Sequence, residues 1–376
     1  MVVLSRLIVI ALFGLTAIAA TAAIPGHRLL PQSQSPAADY GHIDRYIVES
    51  ACLDDEMTVD VWIPESYSEN SAETYPVLYA FDGQNLFDPA ESFAGVAWEL
   101  DRSAWELASA TEAALPIIVG IHNRGARNLR AADYFPENAL DYIADDDRHR
   151  TTIFATCPDG FSGNSHADFV ALELKPLVDS LYRTNPSRDH NMTIGSSMGA
   201  LAALYLMCEY PDIFGAAAAL STHWVGSLNL NTDYSMNDDP VCAGAILACL
   251  TDNLPTAAGH RLYLDQGSAG WDALYLRYEP TARAIATAKG YNTADNTLAT
   301  YDADGAGHNE WFWQQRASRP LAFLLSRRTL GLPTLPADTP ETITHDLLGR
   351  PLPSTQHRRL PQGIYITSRK RLLRLP

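Results

Sequence analysis

Short, almost wholly apolar runs alternate with polar or helix-patterned stretches from Arg45 to Leu325. Arg45-Tyr46-Ile47-Val48 and Met57 to Ile63 flank the polar turn Leu53-Asp54-Asp55-Glu56 and predict two strands. Tyr75–Asp88 (YPVLYAFDGQNLFD) predicts a buried strand that ends in a polar, Gly-containing loop, and Pro116–Gly125 predicts another. Gly215–Leu220, Arg261–Gly267 and Leu298–Asp302 complete the strand candidates, with one more directly before Gly195. Helical spacing falls at Trp98–Ala114, at Ala167–Tyr182, near Tyr278–Lys289 and at Glu310–Ser326. In the second of these, Phe169, Leu172, Leu177 and Leu181 are expected on one side. Continuous apolar strands separated by helices predict an α/β fold, with a mostly parallel central sheet covered by helices on both faces. Gly125–Ile153 reads as a long irregular loop and Trp224–Pro255 as an insertion over one face. The acidic run Asp145-Asp146-Asp147 reads as a solvated part of that loop.

The two ends follow a different pattern. Arg6 precedes the apolar run Leu7–Ala20, and Ala20-Thr21-Ala22 offers a small-residue cleavage pattern. The run is short for ~30 Å of hydrocarbon, so residues 1–22 read as a secretory signal peptide and the protein as exported to periplasm, cell surface or medium. Residues 23–40, rich in Pro, Ser, Gln and Ala, read as a loose lead-in to a domain spanning 41–328. A Pro/Thr/Leu-rich linker, 329–342, leads to a basic tail, 343–376, carrying Arg350, Arg358, Arg359, Arg369, Lys370, Arg371 and Arg374. Within the tail Ile364-Tyr365-Ile366 alternates like a strand.

Composition narrows the partners. The 376 residues are 47% hydrophobic and 19% charged, ordinary for a globular protein, and the net charge of −17 argues against nucleic acid or anionic membrane as a partner. The five cysteines lack metal-ligand spacing, and an odd count leaves at least one thiol free in an exported chain. Cys242 and Cys249 are close enough in sequence to bridge in an oxidising compartment, and the sequence leaves both outcomes open. Cys208 reads as a buried apolar residue.

Chemistry concentrates at His190–Asp212. There a β-branched apolar run enters Gly195-Ser196-Ser197-Met198-Gly199, and an Ala/Leu-rich helical pattern follows. This is the strand, turn and helix setting of a nucleophile elbow. Gly195 and Gly199 let strand and helix backbones approach, and the helix start turns the Met198 N–H toward developing negative charge. A serine nucleophile needs a base, a carboxylate to orient it, and N–H donors for the oxyanion. His308, in the Gly-rich loop after the last predicted strand, is the expected base. The acid belongs after the preceding strand, where Asp265 and Asp272 compete. Asp265 lies on the strand end and suits a structural bond; Asp272, beyond Gly267 and Gly270, is preferred. Gln84 N–H, in Asp82-Gly83-Gln84-Asn85, is the expected second oxyanion donor. Asn85, His122, Trp224 and Trp271 lie on loops at the same ends of strands and are candidate substrate contacts. His223 is a weaker base candidate that lines the pocket.

Taken together, Tyr75–Asp88, Pro116–Gly125, Ile194–Leu201, Arg261–Tyr275 and Gly305–Trp313 resemble the α/β-hydrolase group that contains feruloyl, acetylxylan and enterochelin-type esterases and formylglutathione hydrolases. The resemblance runs from about Arg45 to Leu330 and implies Ser197 as nucleophile, Asp272 as acid and His308 as base. It departs from the group at Ala200, where a second Gly usually stands. The implied activity is hydrolysis of acyl esters, acetyl or feruloyl, on polysaccharide, without metal or organic cofactor. Transfer to a second alcohol, or binding of glycan or siderophore without cleavage, are the other readings. The tail, with His345-Asp346-Leu347-Leu348-Gly349-Arg350 and Gly363-Ile364-Tyr365-Ile366, resembles the short C-terminal sorting hairpins of exported Gram-negative proteins, which implies secretion machinery as a partner.

Overall fold

The computed structural model describes residues 24–67, 72–111, 113–125 and 129–326, and four short strands further on. The expected signal peptide and linker lie outside the described residues. Chain contacts divide the protein into two units, Met1–Leu330 and Gly331–Pro376.

In the first unit nine strands form one sheet: β1 (His27–Leu29), β2 (Gly41–Ser50), β3 (Asp55–Pro64), β4 (Val77–Phe81), β5 (Ile117–Ile121), β6 (Asn191–Ser196), β7 (Ala216–Leu220), β8 (Arg261–Gly267) and β9 (Leu298–Ala303). Their order is β1-β2-β3-β5-β4-β6-β7-β8-β9. The first four in that order pair antiparallel, and β5 through β9 pair parallel. Every residue of β4, β5, β6 and β7 is buried, the physical reason β4, β5 and β7 read as unbroken apolar runs, while β6 also buries Asn191, Thr193 and Ser196. β9, at the edge, is buried only at Leu298 and Ala303, and between them half-buried Ala299 and Tyr301 alternate with exposed Thr300 and Asp302. Four consecutive alanines on β7, Ala216 to Ala219, leave little bulk against the Met198–Glu209 helix, whose residues Met198 to Met207 are all buried. This is an α/β-hydrolase sheet, and the turns after β4, β6, β7, β8 and β9 open at its C-terminal edge.

Several expectations change. The lead-in is not loose: β1 pairs with β2, Trp62 Nε1 donates to Asp39 O at 3.1 Å, and Tyr40 stacks on Trp105 with ring centroids 3.9 Å apart. Within 125–153 the chain folds into the short helix Leu129–Tyr134 and two 3-10 turns, Glu137–Tyr142 and Asp145–Arg150. Tyr134 and Phe135 anchor it in the core, and Asp145 and Asp147 pair with Arg148 and Arg150 one turn on. In the Ala167–Tyr182 helix Phe169 and Leu177 are buried, but Leu172 and Leu181 are open to solvent. Pro176 has no N–H for the turn before it, and Phe169–Leu174 relaxes into a π-helical turn, which shifts the buried face. The second half of the supposed insertion is a core helix, Pro240–Asn253, capped by Asp239, whose carboxylate accepts from Cys242 N at 3.0 Å. Cys242 and Cys249 sit two turns apart on it. A separation of ~10 Å on a helix exceeds the ~7 Å a disulfide can span, and both are free thiols. The last helix is broken into Glu310–Gln314 and Ser318–Leu325, because Pro320 cannot donate to the carbonyl of Arg316. Among the described residues no helix is long and apolar enough to cross a membrane.

In the second unit β10 (Thr344–His345), β11 (Pro351–Leu352), β12 (Gly363–Thr367) and β13 (Leu372–Leu375) form an antiparallel sheet in the order β11-β10-β12-β13.

Candidate active site

Between β6 and its helix the backbone turns so sharply that Ser197 adopts φ 56° and ψ −124°. That conformation is strained for any side chain. Glycine makes the turn possible. A Cβ on Gly195 would lie 2.2 Å from the Gly199 carbonyl oxygen, and one on Gly199 would lie 3.2 Å from Phe81 Cβ and 3.1 Å from Asp82 Oδ2. The same closeness brings the loop after β4 against the start of the helix. Ser197 is held in place by its N–H, donated to Leu220 O at 3.0 Å, and by its carbonyl, which accepts from His223 N at 3.2 Å.

The loops after β8 and β9 deliver the partners. Ser268 N and Ala269 N both donate to Ala306 O, at 3.0 and 2.9 Å, clasping one loop to the other. His308 then lies between Ser197 and Asp272, with Nε2 2.8 Å from Ser197 Oγ and Nδ1 2.5 Å from Asp272 Oδ1. Asp272 is fully buried, and its second oxygen accepts from Ser221 Oγ at 2.6 Å and Gly267 N at 2.7 Å. Burial pushes its pKa up, but hydrogen bonds and charge from His308 and the bonds from Ser221 and Gly267 outweigh it, and the net result is a lowered pKa. An ionised Asp272 can only accept, so the His308 proton sits on Nδ1 and the Nε2 lone pair faces the Ser197 hydroxyl. Trp271, Tyr275 and Trp313 surround the imidazole, with ring centroids 5.4, 5.5 and 5.0 Å away.

The competing residues do other work. Asp265 is wholly buried and held by Arg316, whose Nε and Nη2 each donate at 3.0 Å. His223 is buried as well. Its Nε2 donates to Ser227 O at 3.0 Å, leaving Nδ1 to accept from Tyr275 OH at 2.6 Å. Burial, with the nearby His308, pushes its pKa down to about 3, so it is a neutral prop under Tyr275.

For the oxyanion, Met198 N–H and Gln84 N–H each lie in the first turn of a helical segment, where no carbonyl of that segment accepts from them. Gln84 Oε1 accepts from Asn123 N at 3.3 Å, which fixes its side chain. Asp82, at φ 59°, shapes the turn. Its carboxylate takes two bonds of 2.7 Å from Arg130 and one of 2.6 Å from Asn123 Nδ2.

Of the expected substrate contacts, three are engaged elsewhere. The Asn85 amide donates to Glu310 Oε1 at 3.3 Å and accepts from Phe93 N at 3.0 Å. His122 Nε2 lies 2.7 Å from Asp60 Oδ2, in a cluster with Arg45. Trp224 is fully buried and donates to Glu279 Oε2 at 2.9 Å. Of these only Trp271 stands beside His308, half-buried, its Nε1 donating to Tyr234 O at 2.8 Å. Sequence reasoning passed over Ser221, Arg316, Glu310 and Arg130. Each reaches the site across long sequence separations, and only the polar Ser-Thr-His directly after an all-apolar strand hinted at Ser221.

Residues 50–318 match the family described as "Putative esterase", which covers more than two thirds of the chain. Two Bacillus subtilis (strain 168) proteins are similar: YjcH, uncharacterized, is 28% identical over 163 residues, 43% of this chain and 54% of that protein. YbbA, also uncharacterized, is 24% identical over 171 residues, 44% of this chain and 56% of that one. The matched part of the chain thus spans about half the length of these curated relatives. Among solved structures, a ferulic acid esterase aligns with a TM-score of 0.54 at 18% identity, covering 77% of this chain and 99% of that one. The enterobactin esterase FES from Shigella flexneri aligns at 0.54 and 17%, covering 78% of this chain and 62% of that one. These two share the fold. On the match over residues 50–318, the chain belongs to this esterase family of α/β-hydrolases.

Proposed function

We propose that the protein is an exported serine carboxylesterase that cleaves acyl esters through an acyl-enzyme. The observation that carries this reading is the hydrogen-bonded chain from Ser197 Oγ through His308 to a buried Asp272. In the proposed reaction Ser197 Oγ attacks the ester carbonyl carbon and its proton passes to His308 Nε2. The oxyanion is held by the N–H groups of Met198 and Gln84. Collapse breaks the bond to the alcohol, which leaves with the proton from His308. Water then attacks the acyl carbon as it gives a proton to His308 Nε2, the bond to Ser197 Oγ breaks, and His308 returns the proton to Ser197 Oγ as the acid leaves. The residues named complete this cycle without metal or organic cofactor.

The acyl group is an aromatic or acetyl acid on a polysaccharide hydroxyl. Trp271, flat and half-buried beside His308, favours a planar hydroxycinnamoyl group such as feruloyl. Purified protein is expected to turn over p-nitrophenyl esters, to take a fluorophosphonate label, and to lose both with Ser197→Ala. Turnover that survives that substitution refutes the nucleophile, and absence of the label favours binding without cleavage, because only an activated serine reacts. Added alcohol acceptors distinguish hydrolysis from acyl transfer. A panel of acetylated and feruloylated oligosaccharides identifies the substrate.

The basic tail is proposed to direct export. Truncation after Arg328 is expected to leave ester hydrolysis and melting temperature nearly unchanged while altering where the protein accumulates. A fall of more than about 5 °C, roughly 2 kcal/mol for a domain of this size, would make the tail a structural part of the hydrolase instead.

A further inference from the structure

Ser221, the first residue after β7, is fully buried and holds a positive φ of 45°. A non-glycine residue keeps such a backbone only where its surroundings impose it. Here they converge on the hydroxyl. Arg316 Nη2 donates to Ser221 Oγ at 2.8 Å and Trp313 Nε1 donates at 3.1 Å. Guanidinium and indole N–H groups cannot accept. With both lone pairs of the hydroxyl occupied, its own hydrogen has one acceptor, Asp272 Oδ2 at 2.6 Å. The direction of that bond is therefore determined by the donors behind it.

Arg316 is itself immobilised. It is buried and grips Asp265 with two bonds of 3.0 Å, while Asp265 also accepts from Tyr263 OH at 3.1 Å. A continuous polar chain thus runs from Asp265 through Arg316, Ser221, Asp272 and His308 to Ser197.

We infer that Ser221 is a positioning residue of the esterase, its hydroxyl locked by Arg316 and Trp313 so that it donates to Asp272 Oδ2 and reserves Asp272 Oδ1 for His308. This rests on the reading of Ser197, His308 and Asp272 given above. Two consequences follow from one bond. Together with Gly267 N it prevents the carboxylate from rotating, so the imidazole keeps one tautomer and one orientation. It also draws negative charge away from the oxygen that faces His308. Without it the carboxylate is more basic, the imidazolium is better stabilised, and His308 gains its proton at higher pH. The ionisable and polar groups facing Asp272 and His308 are Ser197, Ser221 and Tyr275, with Glu310 two residues beyond His308 and with Asp265, Arg316 and His223 behind them. The variant below removes the three bonds made at the Ser221 oxygen, the one given to Asp272 and the two received from Arg316 and Trp313, and no ionisable group.

The test compares wild type, Ser221→Ala and Ser197→Ala with p-nitrophenyl acetate from pH 5 to 9, with melting temperatures in parallel. Ser221→Ala is expected to lower kcat by on the order of tenfold to a hundredfold, the effect of losing one hydrogen bond to a charged group. KM should stay within about twofold, and the acid limb of kcat/KM should move upward by about half a pH unit or more. A folded Ser221→Ala with unchanged kcat and acid limb overturns the inference, as does a change confined to KM. Should Ser221→Ala fail to fold, Ser221→Cys, nearly the same shape with a weak donor, carries the same test: a displaced acid limb supports the inference and an undisplaced one overturns it. Turnover retained by Ser197→Ala overturns the reading of the site itself. Loss there with normal Ser221 variants overturns only the role of Ser221.

Discussion

Glu310, two residues beyond His308, accepts a hydrogen bond from the Asn85 amide at 3.3 Å, and so the loop that carries His308 is tied to the loop that carries the Gln84 N–H. Asn85 also accepts from Ser92 Oγ at 3.3 Å and Phe93 N at 3.0 Å, and its carbonyl accepts from Trp98 N at 2.9 Å. One amide side chain thus sets the distance between the two halves of the site.

Asn85→Ala breaks the three side-chain bonds while leaving the backbone bond to Trp98. It is expected to cost about 1–3 kcal/mol, since partners are left buried and unsatisfied, and to lower the melting temperature by about 3–6 °C. kcat on short esters should fall about tenfold, because the oxyanion donor moves relative to the base. A stability loss with kcat intact would show that Asn85 serves the loop alone.

Strain at Ser197 gives a second prediction. Ser197→Gly and Ser197→Ala both remove the hydroxyl and its bond to His308, but only glycine is at ease at φ 56°, ψ −124°. The glycine variant is expected to be the more stable of the two by about 1 kcal/mol, both being inactive. Urea unfolding compares them directly, and equal stabilities would show that the elbow stores no strain.

Two buried acids predict how stability responds to pH. Burial pushes Asp101 and Glu279 each up to about 6, offset in part by hydrogen bonds from Asp39 N to Asp101 and from Trp224 and Arg283 to Glu279. An acid with a raised folded pKa is better accommodated protonated, so its favourable contribution is complete below the ordinary carboxylate range and is lost as pH climbs to about 6. A tenfold change in proton affinity is worth about 1.4 kcal/mol, so across that window Asp101 removes roughly 3 kcal/mol and Glu279 roughly 2 kcal/mol. Asp272 is displaced the other way, so its contribution disappears only as the pH falls below the ordinary aspartate value. Melting temperature is expected to decline from about pH 4.5 to 6.5 and to decline less in Glu279→Gln; an unchanged slope in that variant would remove Glu279 from the account.

The thiols provide a fourth check. Burial pushes Cys157 up to about 12 and Cys249 up to about 11, and raises Cys242 and Cys208 well above the usual thiol range. Iodoacetamide at pH 7.5 should react slowly with the native protein and, after denaturation without reductant, add five carbamidomethyl groups by mass. Fewer than five would reveal a disulfide.

Local features were legible in the chain itself. Strands buried on both faces have few polar positions to spare, so β4, β5 and β7 announced themselves as apolar runs, whereas β6 and β8 also bury polar residues such as Asn191, Thr193 and Asp265. The Gly195–Gly199 turn is a property of five adjacent residues, and the loop after β9 offered one histidine. Those two segments contain Ser197 and His308, and their residue types alone pointed to nucleophile and base. What lay beyond local pattern came from contacts between distant segments. Whether Asp265 or Asp272 faces His308 depends on where Arg316, 51 residues from Asp265, places its guanidinium. Asn85 and Trp224 stand where a substrate contact would be expected, yet Glu310 and Glu279 claim their side chains across 225 and 55 residues. A single proline inside a helical pattern turned Leu172 and Leu181 outward. Period and residue type constrain which face of an element is apolar and which turns are sterically possible. A hydrogen bond between buried groups depends on the three-dimensional position of both partners, and only the packed sheet with its loops brings them within reach.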